Sequence, residues 1–261
     1  MNGQNMCKLM VGNLTVTVLT LGEICDRPRD WFGPTATSLA DGIHRLPVNC
    51  LHVTGPNCSV LIDACDPHVY PVRARPVGDI CAVLEQAQID PDGITHVILS
   101  HGHHDHFCGV QDYASGKPNF PNARHILSAN DWDGNTLTDE AQSADGPAAD
   151  AGPIEMLHGL GLLDLDETNN TLPANITLIE APGETKGHRA TCITSLGQSL
   201  FFLADLFHVP AEIDDPHLCP IWADAATLID SRKQLIAAIR STKARFICSH
   251  IPEVFTAERL C

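Results

Sequence analysis

Four histidines and an aspartate fall within six consecutive positions, His101-Gly102-His103-His104-Asp105-His106. Neither a surface loop nor an apolar core requires that density of imidazole, whereas a metal centre does. If the stretch closes a strand, side chains two apart point the same way, so His101 and His103 converge on one cation while Asp105 and His106, in the turn that follows, face a second. Imidazole combined with carboxylate suits zinc, with iron, manganese or cobalt as feasible substitutes. His104 points elsewhere and is not expected to be a ligand.

One hexapeptide does not complete a coordination sphere, so other ligands must come from distant segments. His188 lies in "APGETKGHRA" after the apolar run "NITLIEA", Asp205 ends "SLFFLAD", and His250 ends "RFICSH". Each follows a strand-like run, the position at which open α/β sheets carry their functional residues.

Placing these residues together requires a framework of strands. "LTVTVLT", "VNCLHVT" and "CSVLIDA" are rich in β-branched residues, and "TGPN" makes a turn between the second and third. Ile80, Val83, Leu84 and Ala87 recur at helical spacing and predict a helix over "GDICAVLEQAQ" that covers the sheet. "ITHVILS" is a buried strand that ends at the histidine cluster, and "NITLIEA", "TCITSL", "SLFFLAD" and "RFICS" supply later strands. A helix with Leu228, Leu235, Ile236 and Ile239 on one face precedes the last of these. The pattern predicts an α/β protein in two or four layers with a mixed sheet. No linker interrupts it, so one domain is expected over residues 1–261. Residues 138–152, low in hydrophobicity, read as a surface excursion and a candidate lid.

Composition narrows the partners. With 32 Asp and Glu against 16 Lys and Arg, the formal charge is -16. No basic run offers a footprint for nucleic acid, and the field repels anionic substrates at a distance. No run approaches the roughly 18 to 20 apolar residues of a membrane span, and the N-terminus lacks the signature of a signal peptide, reading instead as an alternating strand. Eleven cysteines, scattered and mostly in apolar runs, are expected to be reduced and buried. The expected location is the cytoplasm.

In its motifs the sequence resembles the metallo-β-lactamase superfamily. The resemblance rests on H-x-H-x-D-H at 101–106, the Gly-rich turn with His188, the strand-terminal Asp205 and the late His250, in order across nearly the whole chain. It implies an αββα sandwich, two mixed β-sheets flanked by helices, with a two-metal site at the edge between them. It implies His101, His103 and His188 as ligands of the first metal, Asp105, His106 and His250 as ligands of the second, and Asp205 as the bridge. Asp63, in "VLIDAC", matches an aspartate that orients a ligand histidine, and a carboxylate accepting the other imidazole N–H fixes the tautomer. One departure stands out: where the superfamily often reads PGHTPGH, this chain has Pro182-Gly183-Glu184-Thr185-Lys186-Gly187-His188.

The chemistry implied is hydrolysis. Two zinc ions, or Mn2+, Fe2+ or Co2+ in their place, lower the pKa of a bridging water so that hydroxide attacks, and Asp105 carries the proton to the leaving group. Eleven residues follow His250, too few for the helical C-terminal part of glyoxalase II-like thioesterases. The RNA-processing and DNA-repair branches need a basic exosite or extra domains. The remaining resemblance is to lactonases, organophosphate hydrolases and fungal lactamases that open benzoxazolinone-type cyclic carbamates. "ADLFHVPAEIDDP" is similar to their segment around the bridging aspartate, and it places His208 where related lactonases carry a tyrosine over the substrate carbonyl. There a histidine donates to the developing oxyanion or leaving oxygen. Trp31, Phe32, Phe107, Phe207 and Trp222 are candidate apolar walls. The expected substrate is a small neutral cyclic ester or amide, a lactone (acyl-homoserine lactones included) or a lactam. Aryl-ester or phosphotriester hydrolysis and mononuclear-iron persulfide dioxygenation are the alternatives, and a homodimer is a further expectation.

Overall fold

The computed structural model describes residues 6–33, 36, 39, 41–66, 74–76, 79–134, 137–138, 152–165 and 171–260. All but the two ends of the 138–152 excursion therefore lie outside the described residues. In chain order the strands are β1 (Met6–Val11), β2 (Leu14–Asp26), β3 (His44–Gly55), β4 (Cys58–Ile62), β5 (Ala74–Pro76), β6 (His96–Ile98), β7 (Gln111–Asp112), β8 (Lys117–Pro118), β9 (Arg124–Ile126) and β10 (Leu163–Asp164), followed by β11 (Ile176–Glu180), β12 (Arg189–Ser195), β13 (Gln198–Phe202), β14 (Arg245–Ile247) and β15 (Phe255–Thr256). The helices are α1 (Pro28–Phe32), α2 (Ile80–Gln86), α3 (His104–Phe107), α4 (Gly152–Gly159), α5 (Pro210–Asp214) and α6 (Ala225–Thr242).

Two mixed sheets result. The first has eight strands in the order β1-β2-β3-β4-β6-β9-β10, with β5 paired to β2, and the second has five, β11 to β15 in sequence order. The single alternating strand expected at the N-terminus is a hairpin, β1 antiparallel to β2, because Gly12 turns the chain in the left-handed region at φ 57°.

Strand alternation sorts the apolar residues into three layers. Leu14, Val16 and Val18 of β2, Val60 and Ile62 of β4, and Leu200 and Phe202 of β13 pack between the sheets. Leu19 and Leu21 face the other way, with Leu61, Val97 and the α2 residues Ile80, Val83 and Leu84. A register shift between Thr20 and Gly22 reverses the parity of β2, and so Ile24 joins this outer layer. On the far side, Phe201 and Phe246 pack under Leu228, Leu235 and Ile239 of α6. Helix, sheet, sheet, helix is the αββα order. Asp224 caps α6 by accepting from the Thr227 N–H at 3.2 Å, and Lys243 ends it in the left-handed region at φ 53°.

Candidate metal centre

Each sheet contributes a parallel strand pair whose carboxyl ends reach the same edge: β4 with β6, and β13 with β14. Asp63 follows β4, the 99–107 segment follows β6, Asp205 lies in a turn after β13 and His250 follows β14. His188 sits at the end of the β11–β12 connection. Cross-links hold the edges together: Arg189 N donates to Ser100 O at 2.9 Å, Asn49 N to Ser249 O at 3.0 Å, and Asn49 Nδ2 to Ile251 O at 3.1 Å.

Local geometry around the histidine cluster differs from the expected strand end. β6 stops at Ile98, His103 is extended at φ -76° and ψ 145°, and Asp105 and His106 belong to the single helical turn α3. Convergence of His101 and His103 therefore comes from a loop pinned between them at Gly102, not from strand alternation. Asp131, which sequence reasoning did not single out, does the pinning. Its buried carboxylate accepts from Gly102 N at 2.9 Å, Thr185 Oγ1 at 2.8 Å and Gly187 N at 2.7 Å, tying the two histidine loops together. Gly187 is required there, since a Cβ would stand 2.6 Å from Asp131 Cγ.

Hydrogen-bond partners set the imidazole tautomers. His106 Nδ1 donates to Asp63 Oδ2 at 2.8 Å, His188 Nδ1 to Ala181 O at 3.0 Å, and His250 Nδ1 to Pro47 O at 2.9 Å. Ser100 Oγ donates to Asp63 Oδ2 at 2.9 Å and is free to accept from His101 Nδ1 at 3.0 Å. With Nδ1 so engaged, Nε2 is the nitrogen that each of His101, His106, His188 and His250 has left for a metal; without one, burial disfavours charge on His106 and His250 but Asp205 and Asp105 outweigh it and raise both pKa values, that of His250 to about 10. Asp63 makes the contact expected of it.

The freed atoms gather in two clusters that share Asp205, each with its ligand atoms within 4.8 Å of one another. One is His101, His103, Glu184 and Asp205; the other is Asp105, His106, Asp205 and His250. In the first, His101 Nε2 stands 2.9 Å from His103 Nδ1. In the second, Asp205 Oδ2 lies 3.1 Å from His106 Nε2 and 3.3 Å from His250 Nε2, while Asp105 Oδ2 is 3.2 Å from His250 Nε2. His188 stands beside the first cluster, its ring 5.0 Å from that of His101 and its Nε2 3.3 Å from the Asp205 amide. His104 joins neither, and its ring packs edge-on against Phe107 at 5.4 Å.

This donor set fits divalent metal. Asp105, Asp205 and Glu184 are all buried; among the described residues they form ion pairs only with histidines, Trp222 donates a hydrogen bond to Glu184, and Asp205 Oδ1 and Glu184 Oε2 have no hydrogen-bond partner. Buried carboxylates without Lys or Arg need another cation, and imidazole nitrogens with carboxylate oxygens suit zinc and its neighbours. Burial pushes the pKa of His101 well below its usual value and that of His188 to about 4, keeping both neutral, the form that binds metal. Burial opposes ionisation of Asp205, but His106, His250 and His208 outweigh it and hold the carboxyl well below the usual range.

His208 adjoins the centre. Its Nε2 lies 3.3 Å from Glu184 Oε1 and 3.5 Å from Asp205 Oδ2. Burial disfavours its charge, yet Glu184, Glu212 and Asp205 together raise its pKa. Sequence reasoning missed the device behind it. Glu212 accepts from Val209 N at 2.9 Å and pairs with the fully buried Arg232, whose guanidinium also donates to Leu206 O at 2.8 Å and Leu218 O at 2.7 Å. The loop carrying Asp205 and His208 is thus clamped from behind.

Of the five aromatic wall candidates, Trp31 and Trp222 flank His208 at ring distances of 6.1 and 5.9 Å. Phe32, Phe107 and Phe207 do not line the site. Phe32 and Phe107 are buried in the outer layer of the first sheet and Phe207 in that of the second, where the Arg232 guanidinium lies over it. Phe107 is one residue past His106 on α3, about 100° round the helix, and so turns toward the core. A cavity of about 340 Å3 shares Glu184 with the first cluster and Trp222 with the His208 wall.

Among the described residues no helix is long and apolar enough to cross a membrane. A search of curated proteins found no match. The model of the metallo-beta-lactamase superfamily matches residues 44–250. Among solved structures, the chain is similar to AidC, a dizinc quorum-quenching lactonase in complex with its acyl-homoserine product, at 25% identity and TM-score 0.79 over 95% of this chain and 91% of that one. It is also similar to the hydrolase AbOPH of the beta-lactamase superfamily, at 19% identity and TM-score 0.81 over 97% and 92%. A probable metal-dependent hydrolase from Staphylococcus aureus aligns at 19% identity and TM-score 0.80 over 95% and 93%. With the motif order, the αββα layers and a family match spanning most of its length, the chain belongs to the metallo-beta-lactamase superfamily.

Proposed function

We propose that the protein is a dizinc hydrolase that opens a small neutral cyclic ester or amide, a lactone or lactam. The observation that carries this reading is the pair of buried ligand clusters sharing Asp205, with His208 and two tryptophans beside them. His101, His103 and His188 would hold one ion, Asp105, His106 and His250 the other, and Asp205 both. When bound, such ions acidify water and polarise the scissile carbonyl. Asp105, at the centre, takes up a proton and returns it to the leaving oxygen or nitrogen. His208 donates a hydrogen bond to the oxygen on which negative charge develops, in a position fixed by the Glu212–Arg232 clamp. Trp31 and Trp222 exclude water and offer flat apolar faces to a ring.

Similarity to a dizinc lactonase supports the ester class, and the -16 formal charge favours a neutral substrate over an anionic one. The test is a hydrolysis panel of acyl-homoserine lactones, an aromatic cyclic carbamate, aryl esters and a phosphotriester, run with zinc- and manganese-loaded protein. Ring opening that a chelator abolishes is the expected result. One bound iron per chain with oxygen uptake on a persulfide substrate would replace hydrolysis by dioxygenation.

A further inference from the structure

Glu184 is one of two residues, with Lys186, by which the turn before His188 departs from the superfamily's usual PGHTPGH, and it is 3% exposed. It is turned inward, as Thr185 is, while Lys186 is exposed. Its Oε1 lies 3.4 Å from His103 Nδ1, and its ligand atom belongs to the same cluster, within 4.8 Å, as those of His101, His103 and Asp205. Two ligands bound at about 2.0 to 2.2 Å to one ion stand about 2.8 to 3.6 Å apart as its coordination number falls from six to four, so the spacing is compatible with co-ligands. Trp222 Nε1 donates to Oε1 at 2.6 Å and sets the carboxylate in place, while Oε2 is buried without a hydrogen-bond partner. The groups that face this anion are the imidazoles of His103 and His208, 3.4 and 3.3 Å from Oε1, and a divalent cation between Glu184 and His103 would satisfy the remaining oxygen.

We infer that Glu184 is an additional ligand of the first metal, so that this ion meets a second carboxylate besides Asp205. The inference rests on the dimetal reading above. Carboxylate oxygen is a harder donor than imidazole, so adding it raises the relative affinity of the first position for Mn2+ over Zn2+. Trp222 is a positioning residue for this ligand.

The test measures metal on the full-length chain, apart from turnover. Wild type, Glu184→Gln, Glu184→Asp and Trp222→Phe are titrated with Mn2+ and with Zn2+ against a chelator, and their cobalt forms are recorded by visible absorption. Wild type binding two ions per chain upholds the dimetal reading; binding none defeats that reading before any variant is compared. In Glu184→Gln, one Mn2+ is expected to weaken ~10- to 100-fold, as when a supporting carboxylate of a metal site is removed, with a smaller change for Zn2+ and altered cobalt bands. Glu184→Asp and Trp222→Phe, which keep a carboxylate, should shift the cobalt bands while retaining both ions. If Glu184→Gln fails to fold, these two variants decide the matter. Wild-type affinities and cobalt bands in every folded variant would overturn the assignment and leave Glu184 as a wall of the adjoining cavity.

Discussion

Replacing His103 or Asp205 with Ala removes one donor from the first cluster or the donor shared by both. Each change should abolish turnover and reduce bound metal while the far-UV circular dichroism of the fold survives; undiminished activity in metal-depleted variant would overturn the mechanism. His208 is adjacent to the centre but is not needed to hold metal in the reading above, so His208→Ala should keep both ions and lower lactone turnover by ~10- to 1000-fold, the range for loss of one oxyanion donor. An unchanged rate would remove it from the chemistry. Six of the seven ligand candidates read from the sequence meet in the two clusters, with His188 beside them, and they could be picked out because metals accept few residue types and those types seldom crowd together. Glu184 was visible there only as an irregular letter in a turn. Asp131 and Glu212 gave no signal, since an aspartate near a turn or a glutamate at a helix start is ordinary, and their roles exist only once remote loops meet.

At the level of elements, strand runs and the long helix were legible because side-chain periodicity records which face is buried. The turn α3 and the parity change in β2 were not, because loop conformation depends on partners distant in sequence. Asp131 shows the energetic side of this. Three donors from two loops end on its carboxylate, and Asp131→Ala leaves them buried without an acceptor. At about 1 to 3 kcal/mol for each unsatisfied group, the loss should reach at least about 3 kcal/mol, a fall in Tm of roughly 6 to 12 °C for a protein of this size. Thermal unfolding of chelator-treated protein measures this without the metal's contribution. A Tm within 2 °C of wild type would show that the loops hold their places without the aspartate. The same variant, refolded and reloaded, should bind its first metal more weakly than its second, because the 101–103 and 184–188 segments both serve the first.

Across the whole molecule, both sheets end at one edge, where the inter-sheet layer gives way to buried imidazole and carboxylate. Long-range and local fields there have opposite signs. The -16 formal charge surrounds the protein with negative potential, whereas divalent ions bound as proposed would make the centre attractive to oxygen anions at contact. These ranges separate with ionic strength, since the Debye length falls from about 30 Å at 0.01 M to about 8 Å at 0.15 M. For two substrates with the same ring, one neutral and one carrying a remote carboxylate, kcat/KM of the anionic one should rise over that interval while the neutral one stays nearly constant. Salt removes the repulsion felt on approach but leaves the contact chemistry in place. The opposite slope, a fall in kcat/KM for the anion, would mean that the positive centre governs capture as well as chemistry, and the preference for a neutral substrate would lose its electrostatic basis.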